Sequence, residues 1–111
     1  YLDISQIKEM IDGGMYFGNH SYEHPWLEHH KKNFQTKEIN KGLKFMTKIG
    51  MNSKKNWIMC YPYGSYNKST LKIVKNKKCL IGLTTIQGEF KLQKHSNYEI
   101  PRVDCNDVFK Y

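Results

Sequence analysis

Two hydrophobic periods alternate along this chain, and that alternation constrains its fold more than any other feature. Ile4, Ile7 and Ile11 recur at helical spacing with Met10 beside them, and Asp3 with Gln6 three residues later resembles a capping box. Gly13-Gly14 ends this first helix. Met15 to Asn19 then forms a short apolar run that reads as a buried strand, followed by a loop from His20 to Phe34. Thr36 is the expected cap of a second helix carrying Ile39, Leu43, Met46 and Ile49, closed by Gly50. Trp57 to Tyr61 reads as a strand stopped by Pro62-Tyr63-Gly64, and Ser65 or Asn67 starts a third helix with Leu71, Ile73 and Val74 inward. Leu80 to Ile86 is a further strand and Tyr98 to Cys105 a fourth, with Asn106-Asp107 capping a helix cut off at Tyr111.

Strands alternating with helices of this length predict an α/β fold with parallel strands joined by helical crossovers. The near-continuous apolar strands predict burial on both sheet faces. In such folds the chemistry gathers in loops at the carboxyl ends of the strands. Here the loop after the first strand holds histidines and the loop after the second holds Tyr61-Pro62-Tyr63-Gly64, so both fall on one rim.

The rest of the composition excludes more than it assigns. The longest apolar run, near Cys79 to Leu83, is about five residues, against roughly 20 for a membrane span. The 18 Lys+Arg against 10 Asp+Glu give a net charge of +8, but Arg102 is the sole arginine and the lysines are scattered. Nucleic-acid readers lean on arginine forks, so the charge reads as a solvated lysine surface and not a nucleic-acid footprint, with a basic nucleic-acid or anionic-polymer binder as the competing reading. Cys60, Cys79 and Cys105 contain no Cys-x-x-Cys pair, which excludes a cysteine zinc finger, and Cys60 and Cys79 read as small buried hydrophobes. The 111 residues open on Tyr1 with no initiator methionine, which reads as a fragment or a processed form.

Two constellations carry chemistry. His20-Ser21-Tyr22-Glu23-His24 places two imidazoles at i and i+4, which converge on one metal if the loop turns like a helix. A bare pair of this kind is most often a pair of surface residues, and its place directly after a strand is what distinguishes it. His29-His30, beside Lys31-Lys32, read as an exposed turn. In Tyr61-Pro62-Tyr63-Gly64, Pro62 fixes one backbone angle and Gly64 frees another, so a backbone N–H held there suits an oxyanion donor. An ordinary aromatic strand-to-helix turn has the same spacing.

Together these segments resemble the polysaccharide deacetylase family (NodB homology, carbohydrate esterase family 4). The resemblance rests on Gly18-Asn19-His20-Ser21-Tyr22-Glu23-His24-Pro25, Cys60-Tyr61-Pro62-Tyr63-Gly64, Ser65-Tyr66-Asn67, Thr84-Thr85 and Ile100-Pro101-Arg102-Val103-Asp104. It implies a partial (β/α) barrel in which residues 1–111 form a single partial domain lacking its N-terminal strands. It implies His20 and His24 as ligands of a divalent metal, with zinc the usual ion. It also implies Tyr63 as the backbone oxyanion donor, and Arg102 as a group that orients a carboxylate or contacts substrate, with salt-bridge packing as an equal reading. The implied reaction removes N-acetyl groups from an amino-sugar polymer, outside the cell or in its envelope.

The sequence departs from the family pattern in three places. The Asp-Asp motif that supplies the general base and third ligand is absent, Cys60 stands where an arginine is common, and His95 does not match the general-acid histidine. The alternative is a non-catalytic metal- or glycan-binding remnant. Half a barrel also implies self-association through exposed strand edges.

Overall fold

The computed structural model describes residues 1–110; Tyr111, where the expected last helix would be cut off, lies outside them. Three helices, α1 (Ile4–Asp12), α2 (Lys32–Lys48) and α3 (Lys68–Asn76), accompany three strands, β1 (Trp57–Cys60), β2 (Cys79–Gln87) and β3 (Ile100–Arg102). The strands form one sheet in the order β1-β2-β3, and both pairings are parallel. Short 3₁₀ turns lie at Leu27–His29, Pro62–Gly64 and Cys105–Lys110. The last of these starts at Cys105, one residue before the expected cap.

The helix ends follow local chemistry where the chemistry is local. Asp3 caps α1 by accepting the Gln6 N–H at 2.8 Å, and Gln6 Oε1 accepts the Asp3 N–H in return. Asn67 and Thr70 exchange the same pair of bonds at the start of α3, which selects Asn67 over Ser65 as its cap. For α2 the sequence expectation fails. The helix starts at Lys32, not after Thr36, and Lys31 gives it no side-chain cap. Thr36 lies one turn into the helix with its hydroxyl donating to Lys32 O. The cause is tertiary. Gln35 is fully buried, donates to His30 O and to Asn67 Oδ1, and accepts from the Thr70 hydroxyl. That amide ties the first turn of α2 to the cap of α3 and draws the helix start forward.

The core lies between the sheet and α2 and α3. Trp57, Met59 and Tyr61 project from β1 and its exit, and Leu27, Ile39, Met46, Ile73 and Val74 close around them. The Trp57 indole N–H donates to Lys77 O, and the Tyr61 hydroxyl donates to Tyr98 O, so both rings are buried with their polar atoms satisfied. Burial pushes the Tyr61 phenol above its ordinary pKa.

Three strand expectations are corrected. Met15 to Asn19 is not a strand: only Asn19 bridges to Met59. Asn19 N–H donates to Ile58 O and Cys60 N–H to Asn19 O, but the next ladder donor, Ile58 N–H, goes to the Tyr16 hydroxyl at 3.2 Å. A side chain has taken the backbone bond that would have continued the pairing, and Met15 and Tyr16 stay exposed. The fourth strand shrinks from Tyr98–Cys105 to three residues around Pro101, which has no N–H to donate. The sheet is not buried on both faces either, since Leu80 and Ile86 of β2 are exposed.

Gly42, inside α2, faces Asn19 so closely that an added Cβ would lie 2.2 Å from Asn19 Oδ1. Alanine in place of a helix-interior glycine gains up to about 1 kcal/mol. Overpacking costs about 1–3 kcal/mol, and displacing a buried hydrogen-bonded amide costs about as much again. Gly42→Ala is therefore expected to destabilise the chain by about 2 kcal/mol, read as a lower urea midpoint at unchanged slope. A raised midpoint would refute this packing.

Candidate active site

The rim is built from four chain segments, each leaving the sheet at its carboxyl end. The histidine loop leaves from Asn19. The Pro62–Gly64 turn leaves β1, Thr84 and Thr85 lie towards the end of β2, and Arg102 ends β3.

Asn19 and Glu38 hold the histidine loop from below. Asn19 is 2% exposed; its Nδ2 donates to Ile39 O in α2, and its Oδ1 accepts Ser21 N–H at 2.9 Å. Buried Glu38 accepts the Glu23 N–H at 3.0 Å. The loop does not turn like a helix, contrary to the i, i+4 expectation. Ser21 and His24 instead take left-handed backbone angles, φ 64° and 57°. The two imidazoles still meet, with ring centroids 4.6 Å apart in an edge-on arrangement. His20 Nδ1 lies 2.6 Å from Cys60 O. A carbonyl only accepts, so Nδ1 carries the hydrogen and Nε2 keeps its lone pair. Ser21 Oγ is buried with no hydrogen-bond partner among the described residues.

Tyr63 joins this pair from the next loop. Its ring packs edge-on against His24 at 4.6 Å, and its backbone is left-handed at φ 57°. Gly64 follows at φ +70°, pressed onto Thr85 so that a Cβ would fall 2.0 Å from its hydroxyl. Ser65 Oγ accepts Glu28 N–H at 3.0 Å, which ties this turn to the 3₁₀ turn after the histidine loop. Trp26 stacks flat on Tyr63, with centroids 4.3 Å apart and 4° between planes.

Arg102 reaches the same rim from β3. Its Nε donates to Thr84 O at 2.7 Å. Its positive charge acts on Cys60 and His20. Cys60 is not a buried hydrophobe, unlike Cys79: it is half-buried beside His20. Interaction with the Cys60 thiol holds the His20 imidazole above its ordinary pKa against partial burial and the Arg102 charge. Interaction with His20, and next the Arg102 charge, holds the thiol below its ordinary value although burial opposes both.

His29 and His30 stay out of this cluster, as expected. His29 is exposed beside Glu28, and His30 stacks on Phe34. His95 accepts from Lys91 N–H within its own connector. A groove of about 460 Å³ opens beside Arg102, and another of about 320 Å³ lies between the histidine loop and α2. His20 and His24 are both exposed, so the histidine pair lies on an open rim. No group of three or more His, Cys, Asp or Glu that could hold a metal is present among the described residues. The potential donors that meet here are two imidazoles, His20 and His24. The sequence reading missed Asn19, Glu38 and Trp26. The place of Asn19 directly before the first histidine was the one signal available, and it points to Asn19 alone.

The pattern described as polysaccharide deacetylase matches residues 4–80. The chain belongs to the polysaccharide deacetylase family. Its structure is similar to the Streptococcus pyogenes deacetylase PplD in complex with acetate, at TM-score 0.83 and 30% identity over 92% of this chain and 44% of that one. It shares its fold with a family 4 carbohydrate esterase from Streptomyces lividans in complex with acetate, at TM-score 0.62 and 24% identity over 68% of this chain and 38% of that one. The same holds for the deacetylase domain of BpsB from Bordetella bronchiseptica, at TM-score 0.76 and 15% identity over 92% of this chain and 48% of that one. This chain therefore spans less than half the length of each. No curated protein matches it in sequence. Within this family fold the three parallel strands and their helices form part of a NodB-type barrel.

The Cys60–His20 contact makes a titration prediction for the metal-free chain. A histidine whose folded pKa is raised adds stability that is complete below its unfolded pKa and fades as pH climbs through the folded value. His20 is expected to titrate above the ordinary imidazole value by NMR, and Cys60→Ala to bring its midpoint down. An unmoved midpoint in that variant would show that the thiol is not the cause.

Proposed function

We propose that this chain carries the imidazole side of a metal-dependent deacetylase site, acting on N-acetyl groups of an amino-sugar polymer of the cell envelope or exterior. The observation behind the reading is the meeting of His20, His24 and Tyr63 on one rim, drawn from two separate loops. His20 offers Nε2, because Nδ1 is held by Cys60 O. His24 offers the second imidazole. A divalent ion such as zinc, when bound there, supplies Lewis-acid polarisation and a lowered pKa for bound water. Tyr63 presents its backbone N–H from a turn fixed by Pro62 and Gly64, where charge would develop on the acetamide oxygen. Arg102 sits beside His20 and Cys60 as the cation that orients a carboxylate or contacts the substrate.

A second reading, a non-catalytic metal- or glycan-binding remnant, has one observation in its favour: the described residues hold no third metal ligand. Self-association belongs to both readings. Asn19 pairs with β1 through a single bridge, and Leu80 and Ile86 leave apolar surface on the sheet open.

The test is acetate release from an N-acetylated chitooligosaccharide by protein loaded with zinc, alongside zinc titration. Release is expected to fall in His20→Ala and in His24→Ala by at least the roughly hundredfold that losing an outer-shell partner can cost. Zinc binding is expected to be weak and abolished in both. Tight stoichiometric zinc in both variants would overturn the assignment. Zinc binding lost in both variants, with no acetate released by the wild type, would favour the remnant.

A further inference from the structure

We propose that the outward face of the Trp26 indole is a sugar-stacking subsite, receiving a ring of the N-acetylated amino-sugar chain near the unit held at the histidines. This rests on the function proposed above.

The chain has two tryptophans. Trp57 is 0% exposed and bonded to Lys77 O, whereas Trp26 is 46% exposed. A single exposed aromatic ring is ordinary on a protein surface. Three observations set this one apart. First, it is stacked flat on Tyr63, itself 51% exposed, so one face of each ring is covered and the exposure falls on outer faces and edges. Second, it is held in place. Pro25 precedes it, fully buried Leu27 follows it, and its carbonyl accepts the His29 N–H at 3.0 Å. A ring already immobilised loses little entropy when a ligand covers it. Third, it is continuous with the site. Ring contacts run unbroken from Trp26 to Tyr63 at 4.3 Å, to His24 at 4.6 Å and to His20 at 4.6 Å.

The chemistry selects the occupant. A pyranose presents a flat face of C–H groups to the electron-rich face of an indole, and its hydroxyls point outward from the ring edge. The His29 imidazole lies beside Trp26, centroids 5.9 Å apart, and the Glu28 carboxylate lies 3.9 Å from that imidazole, polar groups of the kind that sugar hydroxyls bond. A patch of two rings bordered by charged groups is far too small for a stable protein interface, which buries well over 1,000 Å².

Because Trp57 is sealed in the core, ligand-induced changes in tryptophan emission and quenching by iodide report on Trp26. The probes are N-acetylglucosamine and its oligomers up to the tetramer, titrated by fluorescence and calorimetry. The tetramer is expected to shift the emission to the blue saturably and to protect it from iodide, while the monosaccharide does neither. Trp26→Ala is expected to weaken tetramer binding by about three- to tenfold, and Trp26→Phe by less. If Trp26→Ala misfolds, the wild-type quenching decides alone. Saturable tetramer binding with unchanged Trp26 emission and quenching would overturn the subsite, as would equal affinity in Trp26→Ala. Metal-dependent acetate release with a silent Trp26 would remove the subsite and leave the proposed function standing. Failure of every oligomer to bind would remove both.

Discussion

Asn19 stands where three parts of the molecule meet, and every polar group it has is engaged. Its backbone bridges to β1 in both directions, its amide nitrogen holds α2, and its amide oxygen sets the first residue after His20. Gly42 leaves it the room to do so. The sheet is thereby coupled to the helix that covers it, and both are coupled to the loop that carries the histidines. A buried amide left half-satisfied would cost more than its bonds contribute, so the arrangement holds as a set or not at all.

The elements legible in the sequence are those whose determinants are local. Ile4, Ile7 and Ile11 with the Asp3–Gln6 box define α1, and Asn67 with Thr70 defines the start of α3. The parallel sheet followed from strands separated by helices, and the shared rim followed from the sheet. What escaped was decided by contacts distant in sequence. Gln35 moved the start of α2 because its partners are His30, Asn67 and Thr70. Tyr16 cut short the first pairing by spending its hydroxyl on Ile58 N–H. Neither residue differs in type or spacing from residues that do nothing of the kind.

The site shows the same division. His20, His24, Tyr63 and Arg102 were visible as types in a pattern, and the structure brings all four to one rim. The means of convergence was not visible. A helical turn would have aligned the histidines through i, i+4 geometry, yet the loop reaches the same end through two left-handed residues held by Asn19 and Glu38. Cys60 likewise reads as a small apolar residue in sequence. In space it lies beside an imidazole, thiol and imidazole shift each other's equilibria, and the Arg102 charge acts on both.

Ser21, His24 and Tyr63 all hold left-handed backbone angles without being glycine. Each such residue costs roughly 1–2 kcal/mol that the surrounding structure must make good. Glycine at His24 or Tyr63 would relax the backbone and delete a side chain that the rim uses. The site is thus built against the folding reserve of its own domain, and variants selected for thermal endurance alone would be expected to erode it first.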